Sequence, residues 1–311
     1  MKMAQNDSII ALDVSKARLD GFDAATGETF QIDNTKAGYA TLLQRCRKRA
    51  VQVVVEASGG YERLVMKALW KANIPVRIVD PRRVRHFARA SGRWAKNDRL
   101  DARMITAFAQ AIEGEPYQAD PHREKLAELA TRRRQLTNMQ TMVRNQAQLL
   151  EDLELARLSK RHLNILALQI ARIEKRIADL IAQHETFRTN NARLQSIPGV
   201  GPACSTVLLA YMPELGAITR HQAAALVGVA PMDNQSGKRD RPRSIYGGRS
   251  EVRSVLYMAA LVASKHNHTL KDFYRRLINA GKKPKAALVA VMRKLIILAN
   301  ALIRDQRAYA P

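Results

Sequence analysis

Four carboxylates stand where chemistry could be done: Asp13, Glu56, Asp98 and Asp101. Asp13 closes the apolar run Ile9-Ile10-Ala11-Leu12, and Glu56 closes Val51-Gln52-Val53-Val54-Val55. Asp98 and Asp101 are three apart at the start of a helical stretch, so they share one helix face. Four carboxylates in one place cannot all stay ionised without a cation. A hard divalent ion with oxygen ligands, Mg2+ or Mn2+, suits them and would bridge to phosphate oxygens. The plainer reading of Asp98 is a helix cap, but acids at the ends of buried strands have no such explanation. They sit in a chain of formal net charge +24 and pI near 10.6, which points to nucleic acid as the matching polyanion.

A second group of candidates binds phosphate rather than metal. Arg82, Arg83, Arg85, Arg89, Lys96 and Arg103 run up to and overlap the two aspartates. Further on, Lys238, Arg239, Arg241 and Arg243 fill a polar stretch, Met232–Arg249, read as a flexible loop suited to a DNA backbone. Ser236 lies in that stretch; a serine hydroxyl attacks a phosphodiester only beside groups that neutralise the phosphate. Ile197-Pro198-Gly199-Val200-Gly201 has the form of a helix-hairpin-helix turn, where Gly199 and Gly201 would let backbone amides approach a phosphate. A solvated helix face, and a plain turn between helices, are the bland alternatives.

The elements that must position these residues follow from pattern. The N-terminal part, residues 6–112, reads strand, strand, strand, helix, strand, helix, strand, helix, the order of a ribonuclease-H-like fold. There the strand ending at Asp13 lies beside a parallel strand ending at Glu56, and both open onto the crevice at the carboxyl edge of the sheet. A helix over 98–113 would bring Asp98 and Asp101 there. Residues 120–190 carry helical spacing, with a break near Leu155–Ser159. They then show a stricter seam, Leu163, Leu166, Ile170, Ile173, Ile177, Leu180 and His184, as in a coiled coil. An intramolecular hairpin and pairing between subunits satisfy it equally. Residues 194–311 read as a helical domain behind the glycine turn.

Charge divides unevenly: net +9 over residues 1–110, +3 over 111–195 and +12 over 196–311. The ends do the electrostatic work and the middle connects them. Cys46 and Cys204 have no metal-ligand spacing and fit a reduced cytosolic protein. The apolar stretch Leu295–Ile303 is too short to span a bilayer and reads as a core helix.

Taken in order, several motifs resemble one known family. They are Ala11-Leu12-Asp13-Val14-Ser15-Lys16, Val55-Glu56-Ala57-Ser58-Gly59 and Lys96-Asn97-Asp98-Arg99-Leu100-Asp101-Ala102-Arg103. With them go Ser196-Ile197-Pro198-Gly199-Val200-Gly201, Leu226-Val227-Gly228-Val229-Ala230-Pro231 and Gln235-Ser236-Gly237. The chain resembles the DEDD transposases of bacterial insertion sequences, related to the Piv-type DNA invertases. The resemblance implies a multidomain α/β plus α protein: a RuvC-like domain with the four acids, central coiled-coil helices and a C-terminal transposase domain with a nucleophilic serine. It implies Mg2+ at the acids and a phosphoserine link to DNA through Ser236. It also implies donor and target DNA and an element-encoded bridge RNA as partners, with assembly as a dimer and a tetramer. The expected location is the bacterial cytoplasm, on the nucleoid when active, without a membrane. The run of Arg and Lys after Gly237 departs from the family pattern and leaves Ser244 as the fallback nucleophile. A junction or flap nuclease using water, and a non-catalytic nucleic-acid scaffold, are the competing classes. Residues 194–311 argue against the first and the intact acids against the second.

Overall fold

The computed structural model describes residues 9–47, 49–92, 98–118, 120–236 and 239–310, without the side chains of 98–101 and 233–243. The chain divides into two compact units, 1–119 and 120–311.

Unit one is built on strands β1 (Ile9–Val14), β2 (Arg18–Asp23), β3 (Glu28–Asp33), β4 (Gln52–Glu56) and β5 (Val76–Val79). They form one sheet in the order β3-β2-β1-β4-β5. β1 is antiparallel to β2 and parallel to β4, and β4 is parallel to β5. Val53, Val54 and Val55 have no exposed surface, as a central strand covered on both faces requires. Helices α1 (Lys36–Cys46) and α2 (Arg63–Lys71) cover one face, packing on Ile10, Leu12, Val53 and Val55. Helices α3 (Pro81–Ala90) and α4 (Asp98–Ala111) cover the other, packing on Ile9, Ala11, Val54 and Val79. The result is a mixed α/β sheet unit, consistent with the RuvC-like domain expected from the sequence. The fifth strand starts at Val76, because Pro75 has no amide to give the ladder; its carbonyl accepts from Val53 N instead.

Unit two is mostly helical. Helices α5 (Pro121–Ala147) and α6 (Leu153–Gln183) form an antiparallel hairpin. The seam read from the sequence closes within the chain: Leu136, Val143 and Leu166 are buried together with Leu163, Ile170 and Ile173 against them. Of the two openings left by the sequence, the intramolecular hairpin is the one found. The break falls at 148–152 rather than near Leu155–Ser159. Asp152 accepts from Glu154 N and Leu155 N, so it starts α6 there.

The base of the hairpin shares a core with the rest of the unit. Leu126, Leu129, Ile177 and Ile181 lie in one cluster with residues from Phe187 to Leu302. Helices α7 (Glu185–Gln195), α8 (Pro202–Tyr211), α9 (Arg220–Val227), α10 (Ser250–His266), α11 (His268–Asn279) and α12 (Pro284–Arg304) complete it. By length and composition α12 is long and apolar enough to cross a membrane, longer than the stretch read from sequence. Ala287, Leu288, Val291, Met292, Leu295, Ile296, Ala299 and Leu302 are nevertheless buried in the core, and Asn300 donates to Ile218 O and accepts from Gly216 N. A core helix explains this pattern.

One expectation is corrected. The stretch Met232–Arg249 is not a loop: it holds a two-stranded antiparallel ribbon, β6 (Pro231–Ser236) and β7 (Arg239–Ile245). Residues 231–245 carry almost no apolar alternation, so the hydrophobic pattern that marks other strands is missing.

Candidate active site

In unit one the parallel ladder pairs Leu12 with Val55. The next residue on each strand is Asp13 on β1 and Glu56 on β4. Side chains alternate along a strand, so both acids belong to the face of Ala11 and Val54, the face that α4 covers. Each is half-buried. The expected neighbourhood of these two acids is therefore found.

α4 lies on that face through Ala102, Ile105, Phe108 and Ala109, an i, i+3, i+4 stripe. Asp98 and Asp101 continue the series towards the helix N-terminus. Arg103 lies over the Phe22 ring of β2, its Cζ 5.2 Å from the centroid. At the other end Arg77 of β5, buried, donates to Ala109 O at 3.1 Å. These contacts run α4 across the sheet from the β2 side to the β5 side. Burial and the charge of Arg83 lower the Arg77 pKa. The side chains of Asp98 and Asp101, and all of Lys96, lie outside the described residues.

Two contacts missed by sequence reasoning fix the strand ends. Asn34 donates from Nδ2 to Ser15 O at 2.8 Å and to Tyr61 O at 3.3 Å. Its Oδ1 accepts from the Tyr39 hydroxyl at 2.6 Å. One side chain thus ties the turn after Asp13 to the turn after Glu56. Glu62 gathers the second turn, accepting from Ser58 N, Ser58 Oγ and Gly60 N at 3.1, 2.7 and 2.9 Å. Burial alone would raise its carboxyl, but these hydrogen bonds outweigh it and the pKa falls below the usual value. An Asn at a strand end gives no local sequence signal for such a tie. Asp20 also lies opposite Asp13 in the antiparallel pair, but Arg18 and Gln31 hold it at 3.2 and 2.6 Å.

Arg82, Arg83, Arg85 and Arg89 are exposed along α3. Val84 anchors the other side, with Phe87 edge-on to Phe108 at 5.7 Å. Arg83 is partly engaged, its Cζ 5.4 Å from the Phe108 centroid.

In unit two Ser236 ends β6, and its register partner is Arg239, the first residue of β7. Arg241 pairs with Asn234; Lys238 lies outside the described residues, as do the side chains of Ser236, Arg239, Arg241 and Arg243. The base of the ribbon is clamped. A Cβ on Gly228, at φ +74°, would lie 2.1 Å from Gly247 O, and one on Gly248 2.2 Å from Gly228 N, so the two chain ends touch backbone to backbone. Arg253 donates to Val227 O at 3.2 Å and to Gly247 O. Arg249 grips Glu214 at 2.5 and 2.8 Å and donates to Tyr211 O at 2.7 Å. Burial would raise the Glu214 carboxyl, yet the hydrogen bonds and charge of Arg249 hold it below the usual range. Arg249 therefore braces the base of the ribbon.

The glycine turn shows a packing contact that the sequence did not. Gly199, at φ +107°, presses on α10: a Cβ there would lie 2.7 Å from Ala263 Cβ and 2.9 Å from Ala259 O. Helix packing accounts for this glycine. Gly201 meets nothing within 4 Å and caps α8 in the open.

With this geometry described, comparison with known proteins is decisive. A transposase profile of the DEDD type, named for IS110, matches residues 12–156, and the profile described as "Transposase IS116/IS110/IS902 family" matches 191–275. This chain belongs to the IS110/IS116/IS902 family of transposases. As a transposase it is a DNA-cleaving and rejoining enzyme. It is similar to the "Pilin gene-inverting protein" of Moraxella lacunata, 24% identical over 96% of this chain and 97% of the relative. The Moraxella bovis protein of the same name is 23% identical over the same shares. An "Insertion element IS116 uncharacterized 44.8 kDa protein" of Streptomyces clavuligerus is 30% identical over 47% of this chain and 38% of its own length. Transposases of the DEDD type typically depend on a divalent metal. The paired strand-end acids fit one, since carboxylate oxygens are the donors that hard divalent cations take.

Proposed function

We propose that this transposase exchanges DNA strands through a serine ester, with Asp13, Glu56, Asp98 and Asp101 holding Mg2+. The observation that carries the reading is the placement of Asp13 and Glu56 at adjacent parallel strand ends, on the face that α4 covers. When bound, the metal supplies Lewis-acid stabilisation of charge on phosphate oxygens. The protein's own groups do the rest. Asn34 and Glu62 hold the two turns that fix the acid pair, and the exposed arginines of α3 bind flanking phosphates. The Ser236 hydroxyl gives up its proton and attacks phosphorus. An Oγ–P bond forms, a P–O bond to deoxyribose breaks, and the leaving oxygen takes a proton. The ester keeps the phosphodiester energy, so the reverse attack by a second strand rejoins DNA without an external source. Arg239, register partner of Ser236, and Arg241 would neutralise that phosphate. Lys238 and Arg243 extend the same basic stretch.

The reading extends to donor and target DNA, and to an element-encoded bridge RNA that pairs with both. Its support is the motif set and the net +12 of residues 196–311. It extends also to assembly as a dimer and tetramer, supported by exposed apolar side chains along the α5–α6 hairpin. Met142, Ile165 and Leu168 are 54, 54 and 73% exposed. The working compartment is the bacterial cytoplasm.

The test is strand cleavage of a supercoiled plasmid carrying the element ends, with and without Mg2+. Asp13→Ala and Glu56→Ala should each reduce cleavage by at least about 100-fold while DNA binding persists. Near-normal cleavage by either variant would remove the acid pair from the chemistry.

A further inference from the structure

The corner where α11 turns into α12 is strongly basic and serves nothing described above. From Lys265 to Lys294 the sequence carries nine Lys and Arg and one acid, Asp272. Arg275, Arg276, Lys282, Lys283, Lys285 and Lys294 are all exposed. Among the described residues none of the six is in an ion pair. Most of this corner also lies beyond residue 275, where the family profile ends.

Backbone hydrogen bonds close the corner. Gly281, at φ +80°, closes α11 in a Schellman turn, with Gly281 N donating to Ile278 O at 2.8 Å and Lys282 N to Leu277 O at 3.0 Å. Lys283 then caps α12 without a side-chain bond, Pro284 starts it, and no acid stands in its first turn. Lysines at a helix N-terminus oppose its macrodipole, so helix stability does not ask for Lys282, Lys283 and Lys285. A second convergence lies one turn away. Lys294 Nζ and Arg276 Cζ sit 4.6 and 5.6 Å from the centroid of one ring, Phe273. The ring attracts each cation but the two repel one another, and an anion bound beside them would offset that repulsion.

From this we infer that the α11–α12 corner is a docking surface for the phosphate backbone of duplex DNA, separate from the ribbon that carries Ser236. Duplex is favoured over single strands because single-strand sites stack bases on exposed aromatics. Phe273 is half-buried under its two cations. A bilayer is disfavoured because, among the described residues after 262, no large apolar side chain is exposed to enter it. The inference rests on the DNA-acting reading but not on the metal or serine chemistry, and it is read by binding alone.

The test uses the full chain in EDTA and a short duplex without element ends, with affinity followed across salt by anisotropy. Each lost phosphate contact lowers the slope of log affinity against log salt by about 0.9, so K282A/K283A/K285A should lower it by about 2 to 3. Affinity near physiological salt should fall on the order of ten-fold. The triple Lys→Arg variant should keep the wild-type slope. Thermal melting of the alanine variant should be unchanged or raised, since charge opposing the α12 dipole is gone. An unchanged slope would overturn the inference. So would a loss confined to single-stranded RNA or to anionic phosphatidylserine vesicles, with duplex binding intact.

Discussion

Asp13 and Glu56 are side by side because Leu12 pairs with Val55 in the parallel ladder and each acid is the next residue on its strand. Neither strand could slip without moving an acid, since a one-residue shift would exchange the residues packed on α1 and α2 for those packed on α3 and α4. The buried valines of β4 and the apolar half of β1 therefore set the acid pair. What the ladder leaves loose is the two turns beyond it, and Asn34 holds those together.

Asn34→Ala should thus weaken the chemistry without touching an acid. It removes donors to Ser15 O and Tyr61 O and the acceptor for Tyr39. Cleavage should fall about 10- to 100-fold, as for other groups that orient ligands, and should recover in part at higher Mg2+. Stability should drop by roughly 1–2 kcal/mol. Metal titrations of plasmid cleavage for wild type and variant decide it; a loss of rate with no change in metal dependence would refute the orienting role.

Gly199 and Gly201 should separate cleanly in a stability measurement. Gly199→Ala adds a Cβ into α10 at a positive φ and should cost roughly 3 kcal/mol, lowering the melting temperature of unit two by about 6–12 °C. Gly201→Ala meets open space and should stay within about 0.5 kcal/mol. Similar losses for both in urea unfolding would mean that the turn packs differently.

The sequence made the sheet legible because its buried strands are continuous apolar runs that end in single acids. It made the hairpin seam legible by spacing, but spacing does not say which helix fills the seam. It missed the ribbon because Met232–Ser236 and Arg239–Ile245 pair through backbone bonds with almost no apolar face. It did not show the packing of Gly199 for a different reason: a glycine that lets a phosphate approach and one that lets a helix approach look alike until Ala259 and Ala263 are in place. Arg249 was indistinguishable from its basic neighbours until Glu214, 35 residues away, came alongside.

The Glu214–Arg249 pair predicts a specific acid weakness. The folded Glu214 carboxyl lies below its ordinary value of 4.5. Its contribution to stability is therefore full above about 4.5 and is lost as pH falls through the lower folded value. As pH falls through that lower value the base of the ribbon should loosen. Melting temperature against pH should fall more steeply for wild type than for Glu214→Gln, which starts less stable. Parallel curves would show that the pair does not titrate in folding.

The central claim is that DNA is cut by Ser236 and not by water, and trapping of a protein–DNA ester tests it most directly. A suicide substrate that loses its short cut strand should leave wild-type protein covalently bound, stable in denaturing gels with Mg2+ present. Ser236→Ala should lose the adduct and recombination together, while binding DNA within about two-fold of wild type, since loss of one hydroxyl leaves the basic contacts to phosphate in place. Ser244→Ala should retain both. An adduct still formed by Ser236→Ala would move the nucleophile elsewhere, with Ser244 the next residue to change. Free nicked DNA from wild type, with no adduct at any time, would contradict the account and leave a metal-dependent nuclease in its place.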